Sequence, residues 1–547
     1  MKRIFLKCIK KTSTSIILTL LIVAILLNIN STNVPIVNKG DTSILLKYSI
    51  NTELSWNVTW GGGGDDCGSD VAISPNDSIY CAGSTTSYAV GSNDLALVKF
   101  SSNGSEIWFK TWGGIKSDRA YGVDIDKKGN IYCVGITDSY TLGSYDLLLI
   151  KFAPNGTRLW NTTWGGTDAD YGYEVAVDSN GFIYCIGETY SYGAISADFV
   201  LVKFDPNGNV IWNTTWGGPS TDRGRDLVIG PDGNIYCVGE SIGFLGPTYC
   251  LAVVKFAPNG TLIWFSKWDG PDEDYGLGIT TDSNGYLYCS ATTYSYGAGL
   301  RDFALVKFNS SNGIIIWNTT FGGDFNDNNF DVVVDKYGYI YCAGNTESFG
   351  AGNEDFMLVR FSQDGNKIWN LTWGGIEFDK SLHIVIDDLK SLYLSGDTSS
   401  FGMGARDFAL LRYDFIPPDP PVLEQISPPI DDDGKIQLKW NNVSDANRYY
   451  IYRDTKFITN ITGLSPIAQT SNINFMDIIG TAGDYYYVIV AGSHYGNSSI
   501  SNCVNVKVSF PTTPIMIPGF DYLSVILVLI VIIYINIKRG PYFNKNL

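Results

Sequence analysis

The sequence predicts an all-β protein. A seven-bladed β-propeller is followed by a small β-sandwich, with a hydrophobic helix near each end. Three observations predict it. First, an aromatic anchor recurs at Trp60, Trp112, Trp164, Trp216, Trp268, Phe321 and Trp373; five of the six gaps are 52 residues and the one before Phe321 is 53. Repeats of about 40–50 residues built from short strands point to a propeller, one blade per repeat. Second, the middle strands of each repeat are apolar on nearly every residue, as in Phe199–Val202, where a half-exposed strand would alternate. Blades that stack face to face bury both faces of those strands. Third, aromatics make up 14% of the chain and there are 59 glycines but only 5 methionines, a composition of aromatic strands separated by glycine turns.

Taken in order, residues 1–11 carry Lys2, Arg3, Lys7, Lys10 and Lys11, and residues 16–29 are an almost unbroken uncharged apolar run. Residues 1–30 therefore read as a signal peptide or a signal-anchor, cleaved or retained as a second anchor. Residues 31–53 are a polar linker. The third repeat shows the layout of a blade. Strand a covers 171–177, and the turn Asp178-Ser-Asn-Gly181 uses glycine for its positive φ. Strand b covers 182–188, strand c Asp198–Phe204 and strand d Val210–Trp216.

The ends of the repeat region are out of phase. Residues 54–60 are a d strand with no a, b or c before them. The last repeat has a (382–386), b (392–396) and c (407–413) and stops at Pro417. The first strand is thus expected to complete the last blade, removing an exposed edge. The propeller is placed at 54–416, with seven blades and 28 strands.

The run Ile416-Pro-Pro-Asp-Pro-Pro421 reads as a stiff, extended linker. Within 417–510, strands are expected at 436–440, 449–453, 485–491 and 504–508, a length and pattern that suit a small β-sandwich. A linker at 511–519 precedes an apolar run at 520–537, read as a transmembrane helix, with Lys538 and Arg539 opening a cytoplasmic tail at 538–547. This places the propeller outside the cell, single-pass at the C-terminus.

The repeat resembles the SBBP-type β-propeller repeat. The likeness rests on Trp164-Gly-Gly166, Asp170-Tyr-Gly172, Val177-Asp-Ser-Asn-Gly181, Ile183-Tyr184, Gly187-Glu-Thr189 and the segment from Asp198 to Gly208. It covers about residues 54–414 and implies a surface or secreted propeller. The sandwich resembles a fibronectin type III module through Leu438-Lys-Trp440, Tyr450-Ile-Tyr-Arg453 and Tyr485-Tyr-Tyr-Val-Ile-Val-Ala491. It contains no Arg-Gly-Asp sequence and reads as a spacer.

The charge balance is 38 basic against 55 acidic residues, net −17, which argues against nucleic acid as a partner. Two histidines, His383 and His494, fall in different modules, which argues against a His-based metal site or a Ser-His-Asp triad.

Two rings of acids are the candidate sites. Asp66, Asp118, Asp170, Asp222, Asp274, Asp327 and Asp379 each stand six residues after an anchor. As a metal site they would offer Ca²⁺ a ring of oxygens; as architecture each would accept N–H bonds and fix its own loop. The repetition in every blade favours architecture. A second set, Asp94, Asp146, Asp198, Asp302, Asp355 and Asp407, opens strand c, with Cys250 in its place in the fourth repeat.

Cysteines recur in strand b at Cys81, Cys133, Cys185, Cys237, Cys289 and Cys342, where Leu394 fills the last repeat. Stacked sheets lie about 10 Å apart, beyond disulfide reach, so buried free thiols are expected. Fourteen Asn-x-Ser/Thr sequons occur; Asn57, Asn161, Asn213, Asn318 and Asn370 share one strand-d position and are the glycosylation candidates.

The function expected is a non-enzymatic, membrane-anchored extracellular module that binds a glycan or protein, with no cofactor other than Ca²⁺ as the one ion the first ring could take. A structural surface-coat component without a discrete ligand fits the same regularity. The alternative is an extracellular enzyme at the channel mouth, a polysaccharide hydrolase or lyase or a quinone-type oxidoreductase. Segment Asp205-Pro-Asn-Gly-Asn-Val-Ile-Trp212 shares the Gly-to-Trp spacing of quinoprotein propellers over one turn and strand. An enzyme should break the symmetry at the axis. The breaks visible in sequence are Arg223 and Arg225, Asp272-Glu-Asp274, and His383, each read as surface variation.

Overall fold

The computed structural model describes residues 52–511, apart from 142, 194 and 388–390, together with Leu527, Ile530 and Val531. Seven four-stranded antiparallel sheets fill residues 52–415. The first covers 66–112, the second 118–164, the third 170–216, the fourth 222–268, the fifth 274–321 and the sixth 327–373. The seventh joins Asp379–Ile386, Ser391–Thr398 and Asp407–Phe415 to the N-terminal strand Thr52–Trp60, in the order expected from the phase of the repeats. Each sheet packs on the next and the seventh on the first, so the sheets close into a β-propeller-like ring with strand a innermost.

The packing follows from the apolar middle strands. Strand b of the first sheet, Ile79–Thr85, is buried at every residue, and so is strand c of the third, Asp198–Phe204. The six strand-b cysteines are buried with free thiols, and burial pushes those thiols up in pKa. Each anchor ring packs on an aromatic side chain from the following sheet's b–c loop: Trp60 on Tyr88 at 5.3 Å, Trp164 on Tyr192 at 5.1 Å and Phe321 on Phe349 at 5.4 Å between centroids. Such offset pairs add to plain area burial.

Residues 422–510 form a second core around Trp440, Tyr449, Ile451, Tyr487 and Ile489, between a two-stranded and a six-stranded sheet. This module is docked on the ring. In strand c of the first five sheets a lysine lies over the strand-b tyrosine, as Lys99 over Tyr80 at 5.1 Å and Lys151 over Tyr132 at 4.7 Å. The sixth sheet has Arg360 at this position, fully buried. Its guanidinium donates to Asp445 at 3.2 Å and to the Tyr495 hydroxyl at 3.0 Å, both in the second module. Tyr495 in turn donates to Asp335 at 2.7 Å and stacks on Phe415 at 4.4 Å. His494 stacks on Tyr337 at 4.3 Å. The Pro-rich segment thus leads into a packed contact, where the sequence suggested only a spacer.

Among the described residues no helix is long and apolar enough to cross a membrane. The hydrophobic helices expected at 16–29 and 520–537 lie outside those residues, save for the three named above.

Candidate functional site

Strand a is the inner edge of every sheet, so the N–H groups on its axial side have no further strand to pair with. A buried donor left without a partner costs about 1–3 kcal/mol. Five residues along strand a, the seven repeats carry Asp70, Gly122, Glu174, Asp226, Gly278, Asp331 and His383. The four carboxylates there accept the seven N–H groups of the next residue in each sheet. Asp70 takes Val71 and Val123 at 2.6 and 2.5 Å. Asp226 takes Leu227 and Ile279 at 2.5 and 2.6 Å. Asp331 takes Val332 and Ile384 at 2.7 and 2.9 Å. Glu174 takes Val175 alone, at 2.8 Å.

Three carboxylates therefore staple neighbouring sheets together. The two glycines make room for them: a Cβ on Gly278 would fall 2.8 Å from Asp331 Oδ1, and one on Gly122 2.9 Å from the Glu174 carboxylate. Two residues further along the strand, Asp124 repeats the device, accepting Ile125 and Val177 at 2.6 and 2.7 Å.

His383 fills the seventh position. Its Nδ1 lies 3.0 Å from Asp70 Oδ1 and 3.1 Å from Asp331 Oδ2, and its Nε2 lies 3.5 Å from Glu174 Oε2. Residues of the first, third, sixth and seventh sheets thus meet at the axis. Below them lies a cavity of about 360 Å³, walled mainly by Val, Ala and Ile of the seven a strands. Burial opposes the charged imidazolium, but Asp70 and Asp331 outweigh it and hold His383 well above the usual imidazole range. Burial, then Asp70, pushes Glu174 well up; burial, then Asp331, pushes Asp226 up to about 8. Among the described residues, Asp70, Glu174 and His383 form the group that brings three potential ligand atoms within 4.8 Å of one another. Reading His383 as surface variation is thereby corrected: three-quarters of its side chain is covered, at the centre of the ring. The signal was the strand-a column itself, which holds acid, glycine or histidine where the next column is Val, Leu or Ile in every repeat.

The starting end of the a strands carries a different cluster. Tyr121 packs on Tyr173 at 5.6 Å, Tyr145 on Tyr171 at 5.8 Å, and Tyr249 on Tyr275 at 5.4 Å. Arg223 pairs with Glu188 at 2.7 Å and Glu240 at 3.0 Å, and Arg225 pairs with Glu240 at 2.8 Å while covering the Tyr173 ring at 4.9 Å. Glu273 accepts from the Tyr275 hydroxyl. This crescent of rings and charges belongs to the second to fifth sheets; the same positions elsewhere hold Cys67, Asn328 and Lys380. Arg223 and Arg225 belong to this mouth, as does Glu273.

The seven opening aspartates are apart from both clusters. All are fully buried. In six sheets each accepts from a threonine and a serine of its own sheet and from a glycine N–H of the preceding loop. For Asp66 these are Thr85, Ser87 at 2.6 Å and Gly62 at 2.7 Å; for Asp379 they are Thr398, Ser400 at 2.7 Å and Gly375 at 2.8 Å. In the fourth sheet Asp222 accepts the Gly218 N–H at 2.7 Å.

The strand-c aspartates face them across the seams. A Cβ on Gly165 would lie 2.3 Å from Asp146 Oδ1 and 2.7 Å from Asp170 Oδ2, and the same holds at Gly113, Gly322 and Gly374. Burial, then Asp170, raises Asp146 to about 6. Of the glycosylation candidates, Asn57, Asn161, Asn213 and Asn318 are exposed and Asn370 is half-buried, its Oδ1 accepting from Lys367 at 2.9 Å.

Comparison with known proteins points to repeats of this kind. The SBBP family model, described as a beta-propeller repeat, matches residues 163–193. A second model, described as a domain of unknown function (DUF5122) beta-propeller, matches residues 74–105. An uncharacterized WD repeat-containing protein, L264, of Acanthamoeba polyphaga mimivirus is 24% identical over 325 residues, 48% of this chain; the alignment takes in 22% of that protein's length. Among solved structures, the Pan2 WD40 domain of Neurospora crassa matches at 10% identity and a TM-score of 0.42, covering 67% of this chain and 97% of that one. A quinohemoprotein alcohol dehydrogenase, ADHIIG, of Pseudomonas putida HK5 matches at 9% identity and a TM-score of 0.37, covering 69% and 80%.

Proposed function

We propose that the seven sheets are the blades of a seven-bladed β-propeller and that residues 417–510 are a fibronectin III-like module. The whole acts as a membrane-anchored extracellular binding protein, without enzymatic activity, whose ligand is a glycan. The observation that carries the reading is the crescent at the mouth. Tyrosine faces with guanidinium and carboxylate groups between them offer stacking surfaces and paired hydrogen bonds to a polyhydroxylated ring. The crescent spans four of seven sheets, so it gives a near-symmetric ring one polar side. Tethering is supported by the apolar, lysine-flanked run at 16–29 and by 520–537 with Lys538 and Arg539 behind it.

A second reading, an extracellular polysaccharide-cleaving enzyme, draws on Glu188 and Glu240 at the same mouth. Both carboxylates are tied to Arg223, which suits holding a ligand better than shuttling a proton. The test is a glycan-array screen of the full chain followed by calorimetry. Wild-type protein is expected to bind at least one glycan class, and Tyr171→Ala and Arg223→Ala each to weaken it about tenfold or more. A blank array, or binding indifferent to both substitutions, defeats the proposal. Depolymerisation of a bound glycan replaces it with the enzyme reading.

A further inference from the structure

We propose that His383, Glu174 and Asp70 form a site for one divalent transition-metal ion, of the zinc or manganese class, on the axis of the ring. The hydrogen-bond accounting of strand a singles out one atom. Seven axial N–H groups are shared among four carboxylates, and Asp70, Asp226 and Asp331 each use both oxygens on them. Glu174 uses one. Its Oε2 is buried and meets no hydrogen-bond donor, in a residue only 7% exposed. A carboxylate oxygen so placed is costly unless something positive faces it.

What faces it is His383 Nε2, at 3.5 Å. That is longer than an N–H···O bond of about 2.9–3.0 Å. It matches the separation, about 3.3–3.5 Å, of two donors that each lie about 2.0–2.1 Å from one tetrahedral ion. The other ring nitrogen is already held: Nδ1 lies 3.0 Å from Asp70 Oδ1 and 3.1 Å from Asp331 Oδ2, so the position left for an ion is Nε2, where it would replace the imidazolium proton. A ligating histidine is commonly oriented by such a carboxylate on its far nitrogen. Asp70 supplies the third donor, inside the 4.8 Å group.

The donor set chooses the ion. One imidazole and two carboxylates suit a borderline cation, whereas Ca²⁺ takes six to eight oxygens, about twice what is offered. The charge agrees: four carboxylates from four sheets surround a single histidine. Remaining coordination positions are open to the 360 Å³ cavity on the axis. The glycines at 122 and 278 belong to the same design, since a side chain at Gly122 would push the Glu174 carboxylate aside.

The site is independent of the glycan proposal, and its test uses no glycan. The full chain, stripped with a chelator, is titrated with ZnCl₂, MnCl₂ and CaCl₂ by calorimetry, and its metal content is measured after gel filtration. Expected is one equivalent of zinc or manganese per chain, bound at least tenfold more tightly than calcium. Glu174→Gln keeps an oxygen for the Val175 N–H, and with it the fold, yet is expected to weaken uptake about tenfold or more. His383→Gln should do the same, while Asp272→Asn, at the surface, leaves uptake intact. The proposal is overturned if the folded wild-type protein takes up neither ion, if calcium binds best, or if both site variants retain full uptake while circular dichroism shows them folded.

Discussion

A single aspartate can do two jobs in this ring, and its surroundings decide which. Asp66 and five of its equivalents are each surrounded by donors from their own sheet and loop, while Asp222 accepts from Gly218 and keeps a buried Oδ1 without a donor. Asp94, Asp146, Asp302 and Asp355 accept on one side at most and keep a buried Oδ1 without a donor, facing the next sheet's carboxylate. Burial, and after it the neighbouring Asp170 carboxylate, raises Asp146 to about 6. A folded pKa above the ordinary carboxylate value of about 3.9 means the folded state holds the proton more firmly than the unfolded chain. That contribution is complete below about pH 4 and is lost as the pH rises through about 6. Asp146→Asn carries no proton to lose. Thermal melts from pH 5 to pH 8 should therefore fall less for the variant, leaving it above wild type at pH 8 by about 2–4 °C; parallel curves would sink the assignment. None of these roles is readable from the residue type. The sequence shows an aspartate in each repeat, and only the geometry shows which oxygens are already engaged.

At the scale of the element, repetition made the strands legible and hid the exceptions. Glycine turns, apolar b and c strands and the spacing of the anchors locate nearly every strand of the ring. Boundaries moved by a residue or a few where the pattern was polar: the expected last a strand at 382–386 extends to Asp379–Ile386, because its opening residues pair with the end of strand b. The exceptions matter more. Arg360 replaces a lysine in one strand c and looks conservative in sequence. Its fork reaches Asp445 through one terminal nitrogen and Tyr495 through the other, a planar span that the single nitrogen of an ammonium does not reproduce. Arg360→Lys should therefore loosen the second module by about 2–4 kcal/mol while leaving the ring folded. Limited proteolysis across residues 416–421 measures it, with cleavage expected to quicken about tenfold or more. Unchanged cleavage would mean that the stacking of Tyr495 on Phe415 suffices.

For the whole molecule, closure is the decisive event. The N-terminal strand Thr52–Trp60 pairs with Asp407–Phe415 over eight residue pairs, so the last sheet is assembled from both ends of the repeat region. Removing residues 52–60 exposes the edge of Asp407–Phe415 and unpacks Trp60 from Phe408 and Phe109. Unpaired edges recruit other chains. The truncated protein should elute as oligomers in size-exclusion chromatography and melt less cooperatively. A monomer with wild-type melting would show that the strap is dispensable.

The closure is legible in the sequence, because a missing fourth strand and a spare one are matters of counting along the chain. The same periodicity and burial pattern determined the class of fold and the number of repeats. What only the tertiary structure decided was the centre. Asp70, Glu174, Asp331 and His383 are separated by 52 residues or more, and each looks like a lapse in its own repeat. They become one cluster because closing the ring brings the inner strand of every sheet to a common axis. There seven unpaired N–H groups need acceptors, and the acceptors that meet that need also gather around a histidine.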